Sequence, residues 1–373
     1  MFDEELDNYE AVARIVVIGV GGAGNNAVNR MIDENISSVE FYVANTDRQA
    51  LSRSKASNRV VLGEEITNGL GAGGEPEVGR AAAEASVDQI RDIVRGANLV
   101  FIAAGMGGGT GTGAAPIVAS IAREEGALTV AIVTRPFTFE GKKRIANSVE
   151  GLNALKDSVD AIIIVSNDKL LMVSGTQPIS EAFAESDRVL AQSVKTVTDL
   201  ILRPAFINLD FADVKNTLKD SGISLIGFGM GSGPNRAQEA AQNAISSPLL
   251  EASINGARRA ICAVTCGREV SLYEAQETVN RIIESAGQTV DIKFGVSIND
   301  ELTDQILVSV IASDFTDDFD FTHVPTYETH TVNPIINEPE KAEGEQSENV
   351  EPMEEGKGDD SFLPGFLGGQ KLD

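Results

Sequence analysis

Gly105-Met106-Gly107-Gly108-Gly109-Thr110-Gly111-Thr112-Gly113 follows an apolar run, Leu99-Val100-Phe101-Ile102-Ala103-Ala104, short and bounded enough for a buried strand. Behind it, Ala114 to Ala122 carries apolar residues at helical spacing, with Pro116 suited to a first turn. Strand, glycine loop and helix together aim free backbone N–H groups and the positive end of a helix dipole at an anion. Side chains would hold the backbone away from phosphate oxygens, so glycine is required, and the threonines add hydroxyl donors. The stretch reads as a phosphate cradle.

The rest of the chain bounds that reading. A length of 373 residues exceeds one core, so two packed domains and a tail are expected. A net charge of −26 argues against a nucleic-acid partner. An acidic protein that holds a polyphosphate must rely on N–H groups, a helix dipole and a bound Mg²⁺. No Gly-x-x-x-x-Gly-Lys-Ser/Thr loop is present, which excludes the P-loop class. Cys262 and Cys266 lie in one strand-like run, where α-carbons four residues apart sit about 13 Å from each other, too far for a disulfide. His323 and His330 fall in a polar tail, so no histidine metal site is expected. The acidic start is no signal peptide and no apolar run is long enough for a bilayer, which points to the cytoplasm.

Upstream, a strand over Ala13 to Val20 leads into Gly19-Val20-Gly21-Gly22-Ala23-Gly24-Asn25-Asn26 and a helix to about Ile32. This is Gly-x-Gly-x-x-Gly, and Asp47 after the next strand (Val39 to Val43) sits where a ribose-binding acid would. Alone, the segment suggests an NAD-dependent dehydrogenase. Two further glycine loops, Gly69 to Gly74 before a helix over Glu77 to Val94 and the opening stretch, suit a triphosphate better. Strands over Leu128 to Val133 and Ala161 to Val165, the latter followed by Ser166-Asn167-Asp168-Lys169, complete an alternating pattern. It implies a doubly wound parallel sheet with ligands at the strand carboxyl ends. Ser180 to Arg203 reads as one long helix, with Phe183, Val189, Leu190, Val194, Val197 and Leu200 facing a core.

A smaller α/β domain follows, with strands over Ser224 to Met230, Arg259 to Thr265, Asp291 to Ile298 and Ile306 to Ala312. Its helices cover Arg236 to Ile245 and Leu272 to Ala286. Gly227 to Gly233 reads as a tight strand-to-helix turn without a ligand. The intended division is 1–179, 180–203 and 204–316, then a disordered acidic linker over 317–360 and a terminal peptide over 361–373.

Gly107 to Gly113 is also the tubulin signature, and the chain to about residue 315 resembles the tubulin/FtsZ family. The resemblance implies guanine-nucleotide contacts at Gly21, Gly22, Ala23, Gly24, Asn25, Gly107, Gly108, Gly109, Thr110, Gly111 and Asn167. In Pro136 to Arg144, similar to the family's sugar loop, Glu140 would hold ribose hydroxyls and Arg144 would approach the nucleotide. A helix-start acid and a surface arginine are the alternative. In Glu181 to Asp187, Asp187 would accept from guanine N1 and N2, and Phe183 would stack on the ring. Asn208-Leu209-Asp210-Phe211-Ala212-Asp213 matches the loop that completes the family's GTPase site, with Asn208, Asp210 and Asp213 catalytic. By spacing it is a helix cap, Asp210 with Asp213 three residues on, and the two roles are compatible.

With the base at the start of the long helix and this loop past its end, the loop could reach only another subunit's nucleotide. That implies head-to-tail filaments and a GTPase active on assembly. The family's role adds a division ring at the inner face of the membrane, and division proteins and membrane tethers recruited by the terminal peptide. There Gly368-Gly369-Gln370 replaces the expected basic residues.

Overall fold

Alternating burial explains how the first half assembles. The structure, a computed structural model, describes residues 13–174, 178–202, 205–287 and 289–315. It begins β1 (Ile15–Val20), α1 (Gly21–Asp33), β2 (Glu40–Asn45), α2 (Arg48–Ser52), β3 (Asn58–Val61), α3 (Glu64–Thr67), α4 (Pro76–Glu84) and α5 (Val87–Val94). Next come β4 (Leu99–Gly105), α6 (Thr110–Glu124), β5 (Leu128–Arg135), α7 (Lys142–Ser158), β6 (Ala161–Ser166) and α8 (Asn167–Ser174). β1, β4 and β6 are apolar nearly throughout because both of their faces are covered. Ile15, Val17, Phe101 and Ala103 pack on one side with α1. Val16, Ile18, Val100 and Ile102 pack on the other, with α4, α5 and α6.

The parallel order β3-β2-β1-β4-β5-β6 reverses direction between β1 and β4. Such a sheet places its ligand in the crevice at that reversal, outside the strand carboxyl ends. The first and last of the three glycine loops lead out of these two strands.

A single helix, α9 (Ile179–Leu202), then runs 24 residues along the first half. Val189, Leu190, Val194 and Val197 are fully buried on it, as their spacing predicts, whereas Phe183 is exposed. After α9 come α10 (Phe211–Leu218), β7 (Gly222–Ser232), α11 (Arg236–Ile245), β8 (Ala257–Cys266), α12 (Leu272–Ala286), β9 (Asp291–Ile298) and β10 (Gln305–Phe315). The helices α11 and α12 cover the residues expected of them. β10 lies antiparallel between β7 and β8, and β9 runs parallel to β8. β7 belongs to both halves: Gly222 to Ser224 pair with β6, and Leu225 to Ser232 pair with β10.

Three local expectations are corrected. Gly227 to Gly233 is not a turn, because β7 continues to Ser232. Gly227, Gly229 and Gly231 share one face of the strand, and a Cβ there would stand 2.2, 2.1 and 2.1 Å from the carbonyl oxygens of Ala244, Ala240 and Arg236. Two strand residues advance roughly 6.6 Å and four helical residues roughly 6.0 Å, so glycines at every second position let α11 lie directly on the strand. Pro116 is inside α6 rather than in its first turn, because Thr110 to Gly113 are already helical. The helix expected over Glu77 to Val94 is two, α4 and α5, broken where the Ser86 hydroxyl accepts from the Gly63 N–H at 2.9 Å. Cys262 and Cys266 are buried and free, and burial pushes the Cys262 thiol up to about 12.

Candidate functional site

Both glycine loops at the sheet reversal are, in the structure, helix N-termini. α1 starts at Gly21 and α6 at Thr110, so the first-turn N–H groups of Gly21, Gly22 and Ala23, and of Thr110 and Gly111, lack carbonyl partners within their helices. The two ends touch: a Cβ on Gly21 would come 2.8 Å from the Gly111 nitrogen. The third loop closes on them, since a Cβ on Gly109 would meet Ala72 Cβ at 2.8 Å and the Glu75 nitrogen at 2.9 Å. Two dipoles and their donors therefore share one crevice in an acidic protein.

The glycines divide by what surrounds their α-carbons. Around Gly22 and Gly108 nothing lies within 4 Å of a built Cβ, so these two border open space that a ligand can fill. The α-carbon of Gly24 packs on β4, where a Cβ would be 2.2 Å from the Ala103 carbonyl oxygen. Gly107 adopts φ +101°, beside the Arg144 carbonyl, and its N–H is committed to Thr112 Oγ1 at 2.8 Å. Asn25 is buried, and its amide bridges the loop: the nitrogen donates to the Gly19 and Gly21 carbonyls, and the oxygen accepts from Asn45 Nδ2. Gly24, Asn25 and Gly107 thus shape the cradle from within.

At the carboxyl ends of β5 and β6 the remaining residues converge. Glu140 Oε1 accepts from the Phe137 N–H at 2.9 Å, and its other oxygen pairs with Arg144. These two side chains, expected on a ribose and a nucleotide, hold each other here. Phe137 is fully buried, with Phe139 stacked on it at 4.9 Å and Phe183 edge-on at 5.0 Å. Asp187 lies one helical turn beyond Phe183 on the same face of α9. Burial pushes its carboxyl up to about 7, against the pull of Arg30 on α1. Asn167 opens α8 and accepts from the Ser186 hydroxyl.

Asn208, Asp210 and Asp213 are elsewhere, beyond the far end of α9. Asn208 and Asp210 are exposed. Asp210 Oδ1 caps α10 by accepting from the Asp213 N–H at 2.8 Å, and Asn208 Oδ1 accepts from the Ala205 N–H at 2.6 Å. Ile207 is bridged to Val296 of β9, which anchors the segment. Among the described residues no group of three or more His, Cys, Asp or Glu side chains could hold a metal.

Sequence reading missed two supports of the cradle. Thr46, fully buried after β2, shares a 2.7 Å hydrogen bond with the Thr110 hydroxyl. Asp168 accepts from both the N–H and the hydroxyl of Thr138, which pins the turn carrying Glu140. Thr46 directly follows β2 and Asp168 lies two residues past the end of β6, the one signal they carried. Asp47, the acid expected near a ribose, instead caps α2 by accepting from the Gln49 and Ala50 N–H groups.

This fold and site define an α/β protein of the doubly wound class in which two abutting helix N-termini form an anion cradle. The Tubulin/FtsZ family GTPase domain matches residues 14–175, and the FtsZ family C-terminal domain matches residues 222–316. An FtsZ dimer structure from M. jannaschii is 39% identical with a TM-score of 0.79, over 83% of this chain and 90% of that one. The chain belongs to the FtsZ family. CetZ1 from Haloferax volcanii, a GDP-bound monomer, shares the fold at 21% identity and a TM-score of 0.71, over 82% and 95% of the two chains. CetZ2 from the same organism, a GTPγS-bound protofilament, does so at 21% and 0.69, over 80% and 92%.

Proposed function

We propose that this protein binds GTP in the crevice between α1 and α6 and hydrolyses it only when a second copy docks head-to-tail. The observation that carries the reading is the separation of the two halves of the site along one helix. Phe183 and Asp187 stand in the opening turns of α9, and Asn208, Asp210 and Asp213 follow its last residue. From Phe183 and Asp187 to Leu202 the helix rises roughly 28 and 22 Å, beyond the reach of any side chain. The acidic loop can serve only a nucleotide held by a neighbour. A contact between unlike surfaces that does not close by rotation propagates as an open filament.

The exposed apolar side chains support such a contact. Ile66, Leu70, Phe139 and Phe183 lie at the strand carboxyl ends, beside the cradle, with Leu70 84% exposed. Phe206, 79% exposed, Phe294 and Ile298 gather on β9 and the segment bridged to it, beyond the far end of α9. Leu272 and Tyr273 open α12, which leaves the edge where Cys266 is in register with Ile298. Two unlike apolar patches suit a head-to-tail partner of the same chain.

In this reading Gly22 and Gly108 leave room for the phosphates, and the helix N-termini donate to them. Asp187 accepts from the guanine N–H edge, and Phe183 lies on the ring. Asp210 and Asp213 of the next subunit position the attacking water, which suffices for phosphoryl transfer when charge is neutralised. Mg²⁺, held mainly by the nucleotide, would supply that charge. Family membership extends the proposal to a cell-division ring at the cytoplasmic face of the membrane, with other division proteins and membrane tethers docking on residues 361–373. Residues 316–373 lie outside those the structure describes. The test is GTP turnover across protein concentration. Specific activity should rise from near zero above a threshold, and a turnover number that holds constant down to very dilute protein would sink the shared site.

A further inference from the structure

A carboxylate from the second half of the molecule reaches the root of the turn that carries Glu140. Glu251 lies in the connector between α11 and β8, and packing fixes that connector on both sides. Leu249 is buried in the cluster that contains Val165 and Leu170, Leu250 in the one that contains Cys262 and Val264. Two cations of the first half face Glu251 Oε2, Arg135 Nη1 and Lys169 Nζ, each at 3.9 Å. Arg135 closes β5 directly before the turn, and Lys169 follows Asp168 in α8. The side chains of Arg135, Glu251 and Lys169 are 11, 17 and 18% exposed. Burial pushes the Glu251 carboxyl up and the Lys169 ammonium down, so water screens these charges weakly. At 3.9 Å the carboxylate acts on both cations by charge rather than by hydrogen bonding.

Asp168 is the fourth charge of this group. It lines the same small cavity as Arg135, and it accepts from both the N–H and the hydroxyl of Thr138. Two cations and two carboxylates balance. With Glu251 neutral, Arg135 and Lys169 would be left with Asp168 as the one counter-ion of the group, and a carboxylate drawn towards them gives up Thr138. We infer that Glu251 is a positioning residue: by neutralising Arg135 and Lys169 from the second half, it leaves Asp168 free to hold Thr138. The turn so held carries Phe137, on which Phe183 rests edge-on at 5.0 Å. The consequence for ligand binding rests on the guanine-nucleotide reading above, in which Phe183 lies on the ring.

Glu251→Gln keeps the volume and removes the charge, and the experiment reads it in the full chain by two measurements. Hydrogen–deuterium exchange of the ligand-free protein should speed up about three- to tenfold over residues 136–141, as expected for one weakened hydrogen bond, and stay unchanged over α1 and α6. Equilibrium titration should show GDP affinity lower by about the same factor. Placed on Asp168→Asn, Glu251→Gln should change neither readout further, because Thr138 has already lost its charged acceptor. Glu251→Gln with Lys169→Met restores the balance of charge and should recover part of both. Unchanged exchange over the turn, equal acceleration in α1 and α6, or losses that add to those of Asp168→Asn would each overturn the assignment. Should Glu251→Gln fail to fold, the charge-balanced double variant carries the test. Its turn should exchange more slowly than that of Asp168→Asn, and equal rates refute the role. A wild type that does not bind GDP refutes the guanine reading instead, while the exchange rates still decide the role of Glu251.

Discussion

Acidification from pH 8 to pH 6 should weaken GTP binding about tenfold through Asp187 alone. In the ligand-free site burial holds its carboxyl up to about 7. Its ionised fraction is then about 0.9 at pH 8 and about 0.1 at pH 6. Guanine N1–H and N2–H need the ionised form, so affinity is full above the raised pKa and falls as pH drops through it. The same shift makes a claim on stability with the opposite sense. An unfolded aspartate ionises near 3.8, so ligand-free stability falls as pH rises above 3.8 and the full cost is reached above about 7, where the folded carboxyl is ionised. Asp187→Asn should therefore raise the ligand-free melting temperature by roughly 2–4 °C at pH 7.5 while weakening GTP. Fluorescent-nucleotide titrations from pH 5.5 to 8.5 on the wild type and Asp187→Asn provide the assay. Phosphate titration is common to both proteins and cancels in the ratio of their affinities. Parallel pH profiles for the two would refute the reasoning.

The division of the site predicts complementation: Gly108→Ser fills the open cradle and abolishes GTP binding, and Asp210→Ala binds GTP but does not hydrolyse it. Mixed, they should recover part of the wild-type activity in a phosphate-release assay, and a dead mixture that still co-assembles by light scattering would count against the shared site. Gly229→Ala should cost about 2–4 kcal/mol in denaturant unfolding, because its Cβ meets the Ala240 carbonyl at 2.1 Å and the Ala244 nitrogen at 2.2 Å. Gly22→Ala, with nothing within 4 Å, should leave the melting temperature of the ligand-free protein alone yet impair GTP binding. Removal of residues 320–373 should leave turnover nearly intact, with loss of assembly or GTP binding as the contrary result.

The parallel sheet was legible because β1, β4, β5 and β6 are apolar on both faces and each is followed by a helical pattern. β3 was not, since Asn58-Arg59-Val60-Val61 is a short edge strand with two polar residues, and its pairing with β2 is purely tertiary. The cradle's glycines were legible as a set, but not their separate duties. Sequence shows that Gly22 and Gly24 lack a side chain; only packing shows that one borders space and the other a strand. The glycines of β7 misled for the same reason, because close approach of a helix and a tight turn favour the same residue. Asp210 as a cap followed from spacing alone, whereas its separation from Asp187 required α9 to be a single uninterrupted helix.

The double allegiance of β7 reaches back to how the chain is made. During synthesis β6, Ala161-Ile162-Ile163-Ile164-Val165-Ser166, emerges with β5 on one side and nothing on the other. Its neighbour arrives only after α8, α9 and α10 have left the ribosome. Until then the nascent protein carries an unshielded apolar edge able to pair with any extended chain nearby. A ribosome that stalls before Gly222 would release a product with a nearly complete nucleotide cradle and an adhesive flank. The strand that joins the two halves in the finished molecule is, for the growing one, the cover that makes its first half safe to leave in solution.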